Sequence, residues 1–211
     1  MNLNNELNAS KIHDNYDLGF HLAKQLNSNL VTYVDVGVDN SKNLFEIIKH
    51  FKKVVGFEPS IQFQSIQKTV KNFDNIKCYN LALSNKFSKK NFYIDSEEPD
   101  ISSFNQEWIQ SFRKNTNKEL IVKPLITVTL DSVLSLSSDS IDFIKIDAED
   151  EDSLILEGSK KTLEKHKPII QIENINSDGE DLLYNLGYTE CHDYDNLVRR
   201  DTVDRFFYYK Y

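Results

Sequence analysis

Glycine and proline are scarce in this chain, at six and four of 211 residues, and cysteine and tryptophan are scarcer, at two and one. No Gly-x-Gly-x-x-Gly occurs and no Gly-Lys-Ser/Thr, so a pyrophosphate cradle of the NAD or ATP kind has no sequence support. Cys78 and Cys191 lie too far apart for a metal or redox motif. Free buried thiols in a reducing compartment are expected instead. No apolar run approaches the ~18 residues of a membrane span, and the segment MNLNNELNAS has no secretory hydrophobic region. A cytoplasmic protein is the expectation. Positive charge is short as well: 25 Lys and Arg stand against 33 Asp and Glu, a net charge of −8. Such a chain repels nucleic-acid backbones and anionic membranes, so neither is expected as a partner. The lysine-rich stretches, Lys42 to Lys53 and Lys86 to Lys90, read as solvated surface.

What is present is an alternation of strands and helices. Residues 1–29 read as an N-terminal helical extension, capped by Ser10 and carrying Ile12, Tyr16, Phe20, Leu22, Ala23 and Leu26. Residues 30–211 read as one domain. Its strands are Leu30 to Val36, Lys53 to Phe57, Ile76 to Tyr79, Leu120 to Thr129, Ile141 to Ile146, Ile169 to Ile172, Tyr188 to Cys191 and Arg205 to Tyr209. Helices are expected after Asn40 or Ser41 (Leu44, Phe45, Ile47, Ile48, Phe51 on one face) and from Ser60 to Asn72. Others begin at Leu130 and run over Asp152 to His166 and Asp178 to Leu186. About 84–120 breaks the rhythm, with a short strand at Asn91 to Ile94, a polar loop holding Pro99 and a short helix carrying Trp108. The pattern calls for an α/β fold: a seven-stranded, mostly parallel, Rossmann-like sheet with a terminal antiparallel hairpin.

In open α/β sheets ligands sit beyond the carboxyl ends of the strands. Those ends carry Asp35 with Gly37, Glu58, Asn80, Asp147 with Glu149, and Glu173. Glu58 follows Gly37 at close to the ~20-residue interval at which such folds place a carboxylate on a ribose. A ligand with a ribose but no phosphate suits a turn with one glycine, and S-adenosylmethionine meets that description.

Several blocks then resemble, in order, the motifs of the FkbM-type S-adenosylmethionine-dependent methyltransferases. They are Val34-Asp35-Val36-Gly37, Gly56-Phe57-Glu58-Pro59, Asn80-x-Ala82-Leu83-Ser84, Ser102-Ser103, Val128-Thr129-Leu130-Asp131 and Lys145-Ile146-Asp147-Ala148-Glu149. The resemblance implies a class I methyltransferase fold and roles position by position. Asp35 and Gly37 belong to the first cofactor motif, Glu58 holds the ribose hydroxyls, and Phe57 and Pro59 flank the adenosine. Asn80, Ala82 and Leu83 form the adenine-side loop, and Asp147 faces the methyl group and the acceptor. The implied acceptor is a hydroxyl of a saccharide, glycan or related small metabolite.

Two positions depart from the family pattern, which usually has glycine where this chain has Ser41 and Asp150. They motivate an alternative reading as a catalytically inactive binding protein; an NAD-dependent oxidoreductase is a further alternative. Oxygen methylation needs a proton acceptor. Asp147 is the candidate base, with Glu149 and Glu173 as supporting acids. Three acids are also able to hold Mg²⁺, but their spacing is not diagnostic and no metal site is assigned. His50 and His166 read as helix-end residues, with His13 and His192 as remoter candidates. The aromatics Tyr93, Phe104, Trp108 and Phe112 read first as packing of the irregular segment and second as an acceptor platform.

Overall fold

The computed structural model describes residues 23–24, 29–39, 44, 47–98, 101–113, 119–134, 137–191 and 204–209. Most of the expected N-terminal helix, together with Asn40, Ser41, Phe45, Pro99, His13, His21 and His192, lies outside them. Ala23 and Lys24 are helical, as are Leu44 and Ile47. In chain order the elements are β1 (Thr32–Val36), β2 (Lys53–Phe57), α1 (Phe63–Val70), β3 (Ile76–Tyr79), β4 (Ala82–Leu83) and β5 (Ser88–Ile94). There follow α2 (Gln106–Phe112), β6 (Ile121–Val128), α3 (Leu130–Leu134), β7 (Ile141–Ile146) and α4 (Asp152–Glu157). The last are α5 (Lys160–His166), β8 (Ile169–Ile172), α6 (Ser177–Asn185), β9 (Tyr188–Glu190) and β10 (Arg205–Tyr209).

Strands that are apolar on both faces must be covered on both faces. β1 is buried at every residue, and so is β8. Tyr33, Val54, Ile76, Phe143 and Ile169 point to one side, where they pack with Leu44, Ile47, Ile66 and Val70. Their strand neighbours Val34, Val36, Val55, Ile144, Ile146 and Ile170 point to the other side, against Leu130, Ile155, Leu156, Leu163 and Leu183. These strands form a seven-stranded sheet of order β3-β2-β1-β7-β8-β10-β9. β1, β2, β3, β7 and β8 are parallel. β10 runs antiparallel to both β8 and β9. The expected closing hairpin is therefore present, with β10 lodged between its partners. The fold is the Rossmann-like class I type.

Three expectations need correction. The stretch read as irregular contributes to a second sheet, of order β4-β6-β5. There β5 extends to Ser88 and pairs with β6 along its length, while Ala82–Leu83 adds a short parallel strand. The helix expected over Asp152 to His166 is two helices. Gly158 lies against the backbone of Ser84, and its carbonyl accepts from Asp131 N at 3.0 Å. The Asp131 carboxylate in turn accepts from the amides of Lys161 and Thr162 at the start of α5. Lys90 is not solvated surface: its ammonium lies 2.7 and 2.8 Å from the two oxygens of Glu151. His166 is the last residue of α5, as expected. Burial and Lys165 hold its pKa below the usual value, and its Nδ1 faces the Ile141 amide at 3.4 Å.

Cys78 and Cys191 are free thiols, Cys191 buried and Cys78 partly so. Among the described residues no helix is long and apolar enough to cross a membrane.

The Gly158 contact yields a stability test. An alanine Cβ there would lie 2.3 Å from the Ser84 carbonyl oxygen, a backbone atom held in place beside β4. Gly158→Ala is expected to lower the unfolding free energy by about 1–3 kcal/mol, seen as a lower urea midpoint at unchanged slope. An unchanged midpoint would show that the loop at Ser84 yields freely.

Candidate active site

The sheet order reverses at β1, whose neighbours β2 and β7 are reached by chains leaving in opposite directions, and such a switch point opens a crevice. Gly37 ends β1 with φ +83°, a conformation that side chains rarely tolerate. Its amide donates to Phe57 O at 3.0 Å, and Asp147 N donates to Val36 O at 3.0 Å, so the ends of β1, β2 and β7 are tied together. The Asp147 carbonyl fills the place of a Cβ on Gly37, only 1.7 Å from where that atom would lie. This close approach sets one wall of a cleft of about 150 Å³.

Glu58 stands at the β2 end of the cleft. Its Oε2 accepts from Asp39 N at 3.1 Å and its Oε1 from Ser60 N at 2.8 Å. Two backbone donors thus fix the carboxylate while each oxygen keeps a lone pair for another donor. The residue is 6% exposed, and burial raises its pKa against the lowering effect of Ser60 and Asp39. Pro59, Ser60, Leu81, Ala82 and Leu83 continue this side of the cleft, and Phe57 forms its base. Phe57 itself stacks on Tyr79 with ring centroids 5.6 Å apart.

Across from Glu58, acids gather at the end of β7. One carboxylate oxygen from each of Asp147, Glu149 and Glu173 lies within 4.8 Å of the others. Lys145, 4% exposed, places its ammonium 2.7 Å from Asp147 Oδ2. Burial opposes ionisation of Asp147. The Lys145 charge and hydrogen bonds from Glu173 and Lys145 outweigh burial and hold its carboxyl below the usual range. Glu149 is pushed up to about 8 by burial, then by Asp147 and Asp152. Glu173 also rises to about 8, through burial and then through its hydrogen bond with Asp147 and that residue's charge. The group therefore carries shared protons near neutral pH beside an ionised Asp147.

The loop between β7 and α4 is held in an unusual shape. Glu149 and Asp150 both have left-handed backbones, at φ +49° and +79°. Ser103 Oγ donates to Glu149 O, Asn105 Nδ2 donates to Asp150 Oδ2 at 2.6 Å, and Ala148 N donates to Asp152 Oδ1 at 2.8 Å. Asp152 is fully buried, so its carboxylate closes this loop as well as standing at the start of α4.

Of the residues singled out in the sequence, Gly37, Glu58, Pro59, Ala82, Leu83, Asp147 and Glu149 line the cleft. Glu173 reaches it through the acid cluster. Asp35 and Asn80 do not line it. Asp35, 2% exposed, sits opposite Lys145 in the β1–β7 register, and burial pushes its pKa up to about 7. Its Oδ1 has no hydrogen-bond partner among the described residues. Asn80 supports Glu58 from behind, its Nδ2 donating to Glu58 O at 2.8 Å. Lys145 belongs to a motif that the sequence shows, but the sequence reading gives it no role. The signal was there: a lysine between Ile144 and Ile146 in a strand that is otherwise apolar must be buried with a partner.

The fold and this crevice define a class I methyltransferase-type domain. The family model described as the methyltransferase FkbM domain matches residues 33–198. The chain belongs to the FkbM methyltransferase family. Among solved structures it resembles the methyltransferase FkbM from Methylobacillus flagellatus KT, at 16% identity and a TM-score of 0.53, over 85% of this chain and 44% of that one. It thus spans less than half the length of that relative. It also resembles an rRNA methylase from Streptococcus thermophilus, at 12% identity and a TM-score of 0.51, over 94% of this chain and 99% of that one. At these identities the likeness is one of fold. No curated protein matches the sequence.

The acid cluster makes stability depend on pH. Glu149 and Glu173 titrate near 8 when folded against 4.5 for a free glutamate. Between these values the folded chain binds more protons than the unfolded one, so the cluster's contribution to stability falls as pH rises through that window. Urea unfolding from pH 5 to 9 is expected to show this decline, and Glu173→Gln to flatten it. A variant with the parent's slope would remove Glu173 as its source.

Proposed function

We propose that the chain binds S-adenosylmethionine in this cleft and directs its methyl group onto a hydroxyl of a saccharide, glycan or related small metabolite. The observation that carries the reading is the Glu58 carboxylate. It is acceptor-only, fixed by two amides, and opens onto a cleft with apolar walls at Leu81, Ala82 and Leu83. Those features fit a nucleoside: a carboxylate for two ribose hydroxyls and a slot for a flat base. Gly37 leaves the turn free of side chain where the methionine end would pass, and Asp35 lies buried beneath it. The chain's net charge of −8 favours a small neutral acceptor over nucleic acid. The dehydrogenase alternative has lost its support, because the family is one of methyltransferases.

Bound S-adenosylmethionine supplies an electrophilic methyl carbon on a positively charged sulfur. The residues of the chain must then position the acceptor oxygen in line and take its proton. Asp147, ionised and pinned by Lys145, is placed to accept a hydrogen bond from the acceptor hydroxyl. With the donor bound, the Asp147 cluster would take up the proton that the acceptor hydroxyl gives up on methylation. Glu149 and Glu173 tune the proton affinity of that cluster. In the cell, thiols left free at Cys78 and Cys191 accord with a cytoplasmic setting.

A second reading of the same cluster is Mg²⁺ binding, favoured by three carboxylate oxygens within 4.8 Å. The Lys145 ammonium at 2.7 Å opposes it, because a cation already neutralises Asp147. The alternative of an inactive binding protein draws on Asp150, whose backbone stands at φ +79°, although Asn105 holds its carboxylate at 2.6 Å.

The test is incubation of the protein with methyl-labelled donor and a panel of sugars and glycans. Asp147→Asn is expected to lower turnover ~10²–10⁴-fold while affinity for S-adenosylhomocysteine is kept. Turnover at the parent rate would remove Asp147 from the chemistry. Turnover that stops on chelation and returns with Mg²⁺ would favour the metal reading.

A further inference from the structure

Methyl transfer as described leaves one part of the molecule unused. Phe104 and Glu151 line the cleft, and the same two residues line an open groove beside it, on the second sheet. Tyr93 and Asn91 of β5 form one side of the groove; Asn105 and Gln106, at the start of α2, form the other. Asp150 closes the end nearest the acid cluster, held by Asn105 at 2.6 Å. The two spaces are therefore neighbours along one surface and are joined through the loop that carries Asp147.

The chemistry of the groove is specific. Tyr93 offers an aromatic ring on which the C–H face of a sugar packs, while Phe104 is already engaged by Lys90 and by Phe92 at 5.0 Å. Two side-chain amides, Asn91 and Gln106, both donate and accept hydrogen bonds, as sugar hydroxyls require, while Asn105 caps α2 with its Oδ1. Charge points the same way. Glu107, Asp150 and Glu151 face the groove against one lysine, Lys90. That lysine is already held by both Glu151 oxygens and lies 5.4 Å from the Phe104 ring centre. Among the described lining residues, an acidic ligand would meet carboxylates and one lysine already paired. Asp150 adds to this exclusion at a backbone position where glycine would be unstrained, and aspartate is one of the few other residues that tolerate it.

We propose that this groove is a second acceptor subsite, which holds a sugar ring without acidic groups while the ring bearing the reacting hydroxyl lies against Asp147. Asp150 sets its charge selectivity. The proposal rests on the methyl-transfer reading for its substrate class and extends it: the acceptor has at least two rings and carries no carboxylate or phosphate on the outer one.

The test uses the full chain on an array of defined mono- to tetrasaccharides in neutral, amino and uronic-acid series. Tyr93→Ala and Asp150→Gly are run beside the parent, with folding checked by thermal melting and the cofactor site by calorimetry with S-adenosylhomocysteine. The parent is expected to retain neutral or amino oligosaccharides over their single rings and to reject the uronic-acid series. Tyr93→Ala is expected to weaken that retention about tenfold or more, as loss of an aromatic anchor does. Asp150→Gly is expected to admit the uronic-acid series. Retention of no saccharide by the parent, equal retention of uronic acids, or an unaltered Tyr93→Ala overturns the proposal. Failure of S-adenosylhomocysteine to bind would count against the methyl-transfer reading alone, because the array reports on the groove directly.

Discussion

The contact between Gly37 and the backbone of Asp147 is the constraint from which the rest of the site follows. With a Cβ at residue 37 the Asp147 carbonyl would have to move, and with it the end of β7. Because glycine leaves that space to the Asp147 carbonyl, β1 and β7 stay in register to their last residues and the chain turns away at φ +83°. The Gly37 amide is then free to bond Phe57 O, which fixes the end of β2 and so the start of Glu58. One missing side chain thereby places an acceptor-only carboxylate on one side of a cleft and a cluster of acids on the other.

Electrostatics set what those acids are able to do. A set of carboxylates this close cannot all ionise. Lys145, buried in the strand below, decides which one does. It lowers Asp147 and leaves Glu149 and Glu173 to rise towards 8. A lysine at this position is costly to bury alone, and Asp147 and Asp35 offset that cost. The same ion pair that offsets the burial of Lys145 therefore keeps Asp147 ionised, as its proposed role requires.

The fold was legible because period-two burial and fully apolar strands are written in neighbouring residues. β2, β3, β7, β8 and β10 lie where their sequences place them, and the Gly37–Glu58 interval pointed to the cleft. The second sheet was not legible. β6 is largely exposed, with Ile121, Val122 and Ile126 at the surface, so its pattern names no buried face. The break in the helix after β7 was hidden as well, because it depends on Ser84 and Asp131, both distant in sequence from Gly158. In the site, residues at strand tips were found, whereas Lys145 and the Lys90–Glu151 pair act through contacts across the sheet. Asp35 shows the converse: a motif position whose side chain turns beneath the cleft and away from its surface.

The central claim is that a nucleoside is held by the Glu58 carboxylate, and calorimetric titration with S-adenosylhomocysteine tests it most directly. The Glu58→Gln side chain keeps the shape but loses the charge and one acceptor, and it sets a donor against the amide of either Asp39 or Ser60. The account predicts binding by the parent, with affinity in the variant reduced by about 1–3 kcal/mol, or roughly 5- to 150-fold. Absence of binding by the folded parent, or equal affinity in the variant, would contradict it.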